Sequence, residues 1–238
     1  MKYLLAALLA VVATPAVPAE SFHAWAAADI HVDRTGHATV ADVAGVDGAM
    51  ADFVGNALSA LRYRPAQVAG HPVAMTTGAS VEVELQPTEG GYTPRIRSLR
   101  LGPRIRPGRD QPRFPGSMYR AGRSGVAEIR IAVDERGMVS VLRTESASDD
   151  AFAAEAIRWL ERTRFQPTLG DGHAVRVEFS VPFIFEVAGS RHRADEHQFQ
   201  CQPSHSLPAY EADRASGCIA PIRVAASQTR SASTDRNE

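Results

Sequence analysis

The side chains best suited to metal binding or nucleophilic chemistry are eight histidines (23, 31, 37, 71, 173, 192, 197 and 205) and two cysteines, Cys201 and Cys218. His197, Cys201 and His205 are four apart, a spacing that puts ligands on one helical face. Pro203 lies inside that stretch and breaks the helix that would align them. The remaining histidines are scattered, His71 and His173 fall in loop positions, and no Gly-rich phosphate loop is present. The expectation is therefore no catalytic site, no metal and no cofactor.

The N-terminus decides what the cysteines can do. Lys2 precedes a short apolar run, Tyr3 to Val12, followed by Pro15, Pro18 and small residues at Val17-Pro18-Ala19. This reads as a secretory signal peptide over residues 1–19, cut after Ala19; an uncleaved anchor would have to carry both prolines inside its span. Export leads to an oxidising space, in which Cys201 and Cys218 are expected to pair and pin the tail.

Net charge is −1, which gives the chain no pronounced field, but the charge is uneven. Between Tyr92 and Arg113 there are seven arginines (95, 97, 100, 104, 106, 109 and 113) against a single acid, Asp110. In an exported protein such a segment reads as a solvated basic linker or edge strand. Its candidate anions are lipid head groups, cell-wall polymers or an acidic protein rather than nucleic acid.

The second half of the chain shows the elements most clearly. Ala127, Ile129, Ile131 and Val133 alternate with Glu128, Arg130 and Ala132, which predicts a half-buried strand. Asp134-Glu135-Arg136-Gly137 predicts a reversal into a second strand over Met138–Thr144. Ser148-Asp149-Asp150 offers caps and charge to a helix N-terminus. Phe152, Ala156, Ile157, Leu160 and Thr163 then share one helical face, with Trp159 nearby, until Pro167 stops the helix. A long last strand alternates through Val175, Val177, Phe179, Val181, Phe183, Phe185 and Val187. Pro182 marks it as an edge strand on the side its nitrogen faces. The directions give a β-β-α-β sheet of order 2-1-3 with the helix on one face and two open edges.

The first half repeats this pattern more faintly. Ala28, Ile30 and Val32 match Ile129, Ile131 and Val133 at an offset of 101, as do Asp33 and Gly36 with Asp134 and Gly137. At an offset of 102, Arg62-Tyr63-x-Pro65 matches Arg164-Phe165-x-Pro167, and Ala79, Val81, Val83 and Leu85 match Val181, Phe183, Phe185 and Val187. The expected class is α+β, with two tandem small domains, each a three-stranded antiparallel sheet under one helix. The layout is a signal (1–19), a degenerate copy (22–87), an Arg-rich linker or edge strand (88–110), the clear copy (111–187) and a tail (188–238) whose end, from Ala225, is disordered.

Gln111-Pro112-Arg113-Phe114-Pro115, Val133-Asp134-x-x-Gly137, Arg164-Phe165-Gln166-Pro167 and Val181-Pro182-Phe183-x-Phe185 together resemble the C-terminal domain of TonB, the periplasmic energy-transducing protein of Gram-negative bacteria. Residues 22–87 resemble it by repetition only. The resemblance implies a periplasmic, non-enzymatic protein that binds an extended segment of a TonB-dependent transporter, or of another envelope protein, by strand addition. Gln111, Pro112, Arg113, Phe114 and Pro115 would contribute contacts, and Val181, Phe183, Ile184 and Phe185 would form the receiving edge. Phe114 and Pro115 have an equal reading as packing at the start of the domain. An inner-membrane-anchored energy transducer and a basic envelope structural protein binding cell-wall or lipid anions are the alternatives. An open edge can also pair with a second copy, giving a homodimer. Departures from the family are the cleavable-looking signal, a folded copy where the Pro-rich spacer should be, and Thr163 in place of a Trp.

Overall fold

The computed structural model describes residues 21–68, 70–106, 111–190, 194–195, 198–201, 219 and 221–226. The first half begins with β1 (Phe22–Val32), whose Ala26, Ala28, Ile30 and Val32 are buried, and reverses into β2 (Ala38–Ala44). Asp33 closes the turn by accepting N–H groups from Thr35 and His37. Gly36 holds φ +83° there, and a Cβ would lie 2.0 Å from the Tyr63 carbonyl oxygen. Glycine is thus required twice over, by the left-handed backbone and by that close approach.

Helix α1 (Ala49–Ala60) buries Val54 and Leu58 against the sheet. A small hairpin, β3 (Ala66–Val68) and β4 (His71–Val73), leads into β5 (Met75–Thr88), whose residues Met75 to Leu85 pair antiparallel with all of β1. The Arg-rich segment is then a full strand, β6 (Gly91–Gly102), antiparallel to β5.

After a short helix, α2 (Gly116–Arg120), the second half runs through β7 (Gly125–Val133), β8 (Val139–Ala147) and α3 (Asp150–Leu160). Asp149 caps α3 by accepting the Ala151 N–H at 3.0 Å. The helix buries Phe152, Ala153, Ala156, Trp159 and Leu160. Trp159 stands edge-on to Phe183 at 5.9 Å, and the Thr163 hydroxyl turns back to the Trp159 carbonyl. The hairpin β9 (Thr168–Gly170) and β10 (His173–Val175) precedes β11 (Val177–Val187), which pairs antiparallel with β7. The last strand is β12 (Ile222–Ala226).

The two halves share their local geometry. Gly137 holds φ +80°, its Cβ position lies 2.0 Å from the Phe165 carbonyl oxygen, and Phe165 N–H donates to Gly137 O at 3.0 Å, as Tyr63 does to Gly36 O at 2.9 Å. Asp134 accepts from Arg136 and Met138 as Asp33 does from Thr35 and His37. The β9–β10 hairpin has the β3–β4 register moved by 102 residues.

The architecture is α+β with mostly antiparallel sheets, but the sheets are not three-stranded. One has six strands, in the order β10-β9-β5-β1-β2 with β6 also along β5; another has four, β12-β11-β7-β8; β3 and β4 form a two-stranded sheet of their own. The 2-1-3 order survives inside each as β2-β1-β5 and β8-β7-β11. Two outer strands lie on edges expected to be open: β6 runs along β5, and β12 covers Phe183 to Val187 of β11, its last two residues, Ala225 and Ala226, belonging to the end expected to be disordered from Ala225. The long last strand also breaks at Arg176, leaving Val175 in β10. The β9–β10 hairpin crosses to the first half by pairing Met75 with Gly170 and Thr76 with Leu169.

Candidate docking edge

The segment Gln111 to Pro115 splits by exposure. Pro112 and Pro115 are buried, Phe114 is half-buried, and Gln111 and Arg113 are exposed. Phe114 meets Tyr119, Phe152 and Phe185 edge-to-face, with ring centroids 6.3, 5.9 and 5.8 Å away. Phe114, Pro112 and Pro115 therefore fasten the segment to the core, and Gln111 and Arg113 are the two side chains it presents to solvent.

Along β11, successive residues turn their backbone groups alternately toward β7 and away from it. Ser180 O accepts Ile219 N–H at 3.1 Å and Ala188 N–H donates to Ala226 O at 3.0 Å, so the even-numbered residues face outward. Pro182 belongs to this set, and its missing N–H falls on the outer side. The parallel partner β12 begins just beyond it, pairing Ile222 with Phe183 and continuing to Ala226 with Val187. Val181 lies before that ladder, whereas Phe183, Ile184 and Phe185, expected to receive a guest strand, carry a strand of their own chain. Among the described residues no strand pairs with β11 on its outer side between Val177 and Pro182. The opposite margin, β8, has two bulges against β7, which blunt it as a template.

The tail is anchored at several points. Arg100 on β6 is buried and donates from Nη1 to Ile219 O at 2.8 Å. On the sheet face opposite α3, the buried carboxylate of Glu128 accepts N–H groups from Gln200 at 2.5 Å and Cys201 at 3.1 Å. Phe199 packs there on Val126 and Ile184. None of Ile219, β12, Arg100 and Glu128 was singled out in the sequence as a site residue. The only signal for β12 is the Ile219, Ile222, Val224 pattern, too short to read as a strand. Arg104, another of the seven arginines, is bound internally to Asp29 at 3.0 Å, so two members of the basic segment serve the fold.

Beside the open part of β11, a largely apolar cleft of about 490 Å³ separates the halves, lined by Tyr63, Met75, Leu101, Thr168, Val177 and Phe179 among others. Arg34 and Asp171 join the halves at 2.9 Å. The Arg34 guanidinium, with the Ala74 N–H, holds the Asp171 carboxyl below the usual carboxylate range. The Thr35 hydroxyl, aided by the His37 and Thr35 N–H groups, brings Asp33 down to about 2.

The Cys201–Cys218 pairing, the His197, Cys201 and His205 trio and the signal peptide fall wholly or partly outside the described residues. Among the described residues, no group of three or more His, Cys, Asp or Glu could hold a metal ion, and no helix is long and apolar enough to cross a membrane.

A small antiparallel sheet with one helix on a face and an extended proline-containing lead-in defines the class. Residues 110–187 match the family model described as Gram-negative bacterial TonB protein C-terminal, and this segment is a TonB C-terminal domain. Domains of this family interact with TonB-dependent outer-membrane transporters. No curated protein matches the chain.

Proposed function

We propose that this protein is a non-enzymatic periplasmic binding protein whose TonB C-terminal domain takes an extended segment of a TonB-dependent transporter, or of another envelope protein, onto the outer edge of β11. The observation that carries this reading is the edge itself. Among the described residues no strand pairs with the outward-facing backbone groups from Val177 to Pro182, where Ser180 O is taken by Ile219 N–H, and beyond Pro182 a five-residue strand lies on the edge. An added strand satisfies such groups through main-chain hydrogen bonds, and neighbouring side chains supply selectivity. Gln111 and Arg113 are the solvent-facing members of the segment that Phe114 packs against Phe185, toward the C-terminal end of β11, and contribute contacts. Residues 22–87 are, on this reading, a degenerate second copy, supported by the common turn, hairpin and strand registers. That copy offers no equivalent edge, since β6 runs along β5.

The test is binding of a synthetic peptide spanning the TonB box of an outer-membrane transporter, measured by calorimetry. Binding that weakens at least tenfold in the Gln111→Ala/Arg113→Ala double variant is expected. No binding at millimolar peptide would reject the reading. The family match also favours a tethered energy transducer that uses the same surface; recovery of envelope protein beginning at Glu20 would exclude it, and at Met1 would support it.

A further inference from the structure

Resting on that reading of the β11 edge, we propose that β12 is a built-in competitor: the chain's own C-terminal strand occupies the partner's place, and a docking segment must displace it. Its sequence also states the chemistry a partner segment has to supply. Ile222 and Val224 turn toward the α3 side and join the core formed with Phe183 and Phe185, whereas Arg223 turns the other way and reaches Glu186, 3.7 Å away. The matching guest is an extended segment parallel to β11, with apolar residues at alternate positions, a basic residue opposite Ile184 that reaches diagonally to Glu186, and small residues opposite Glu186 and Val187, as Ala225 and Ala226 are here.

The arrangement favours exchange over permanence. β12 has five residues and, among the described residues, a strand neighbour on one side only, and its ladder begins just past the one outward N–H that Pro182 lacks. It is anchored at one end by Ile219, whose N–H is taken by Ser180 and whose carbonyl is taken by Arg100. The Ile219 side chain fits a place that glycine leaves open, since a Cβ at Gly102 would lie 2.7 Å from its Cγ2. Seventeen residues separate Cys201 from Ile219, a tether that returns a released strand to its own edge at high effective concentration. A guest therefore meets an edge that is free for only a fraction of the time, and its apparent affinity falls by that fraction. Arg100 belongs to the first half, so the role assigned to that half is to hold the competitor in place.

The experiment compares the full-length protein with a full-length Val224→Pro variant, in which β12 loses a ladder N–H, using the transporter peptide as probe. Tighter binding by the variant, about tenfold or more, is expected, and Arg100→Ala should act in the same direction. A chain ending at Cys201 should bind as tightly as the proline variant, and adding a peptide of residues 219–226 should weaken it again. Equal affinity of wild type and Val224→Pro would overturn the competitor while leaving the docking reading intact. Absence of binding in every form would instead sink the docking reading. Should the shortened chain fail to fold, hydrogen exchange on the full-length protein decides. Added peptide should speed exchange at Val224 and Ala226 and leave Ile184 and Glu186 protected, and unchanged exchange at Val224 and Ala226 would reject displacement. A full-length dimer that dissociates on truncation would place the strand in a second copy and overturn the intramolecular form.

Discussion

Replacing Phe114 by Ala separates its two readings, as a contact for the partner and as a fastener of the fold. The ring is half-buried and stands edge-on to Tyr119, Phe152 and Phe185, two of which are fully buried. Truncating a fully buried Phe costs about 3–5 kcal/mol, so a half-buried one scales to about 2–3 kcal/mol, inclusive of its edge-to-face contacts. Gln111→Ala and Arg113→Ala, both at exposed positions, should change stability by no more than about 0.5 kcal/mol. Urea unfolding followed by Trp fluorescence measures all three, with the change taken from the midpoint at constant slope. The packing argument predicts that Phe114→Ala loses stability and the other two lose peptide affinity. A Phe114→Ala protein within about 1 kcal/mol of wild type, yet deficient in binding, would refute it.

Gly36→Ala and Gly137→Ala each place a Cβ 2.0 Å from a carbonyl oxygen at positive φ, and each should cost about 2–4 kcal/mol from strain and overpacking. Equal losses in urea unfolding are expected if the turns are equivalent; tolerance at either position would show that its turn can relax. Acid should weaken the fold through Asp33 and Asp171, whose folded carboxyls titrate below their unfolded value. The unfolded chain then takes up protons first, so their contribution is complete above the unfolded value of 3.8 and is lost as pH falls toward about 2. Asp171→Asn should flatten that acid limb in thermal melts between pH 5 and pH 2, and an equally steep limb would exclude Asp171 as a source.

What could be read from the chain follows from how much of each element's pairing is encoded locally. Alternation over Ala127–Val133 and Val177–Val187, and the helical face from Phe152 to Leu160, each set a run of large apolar residues against one core, so the pattern shows in the residues themselves, although the strand predicted to be half-buried is buried on both faces, Glu128 included, as is β11 at Ser180 and Ile184. The three-residue hairpins β3–β4 and β9–β10 are too short to show a period. β6 is legible only as an Arg-rich linker or edge strand, because Arg95, Arg97 and Arg100 break its polar face, and the structure makes it the strand, with Leu99 and Leu101 buried on the other side. β12 hides for another reason: the residues that make it a strand are Phe183 to Val187, nearly 40 positions earlier. The resemblance to the TonB C-terminal domain points to the lead-in and to β11, but not to the segment lying on β11, because its own pattern ends at Val187.

Pro182 connects these observations. Read alone, it identifies an edge strand by its missing donor, and the structure places that gap on the outer side. An unprotected edge of apolar β11 would be an aggregation hazard, and β6 on the equivalent strand of the first half removes the hazard permanently over eleven paired positions. β12 does so over only five positions, beginning immediately after the proline. The difference in length is the physical argument for different roles. A long antiparallel neighbour closes the first edge for good, and a short parallel one keeps the second edge covered until a better strand arrives. Lengthening β12 should therefore suppress docking without disturbing the fold.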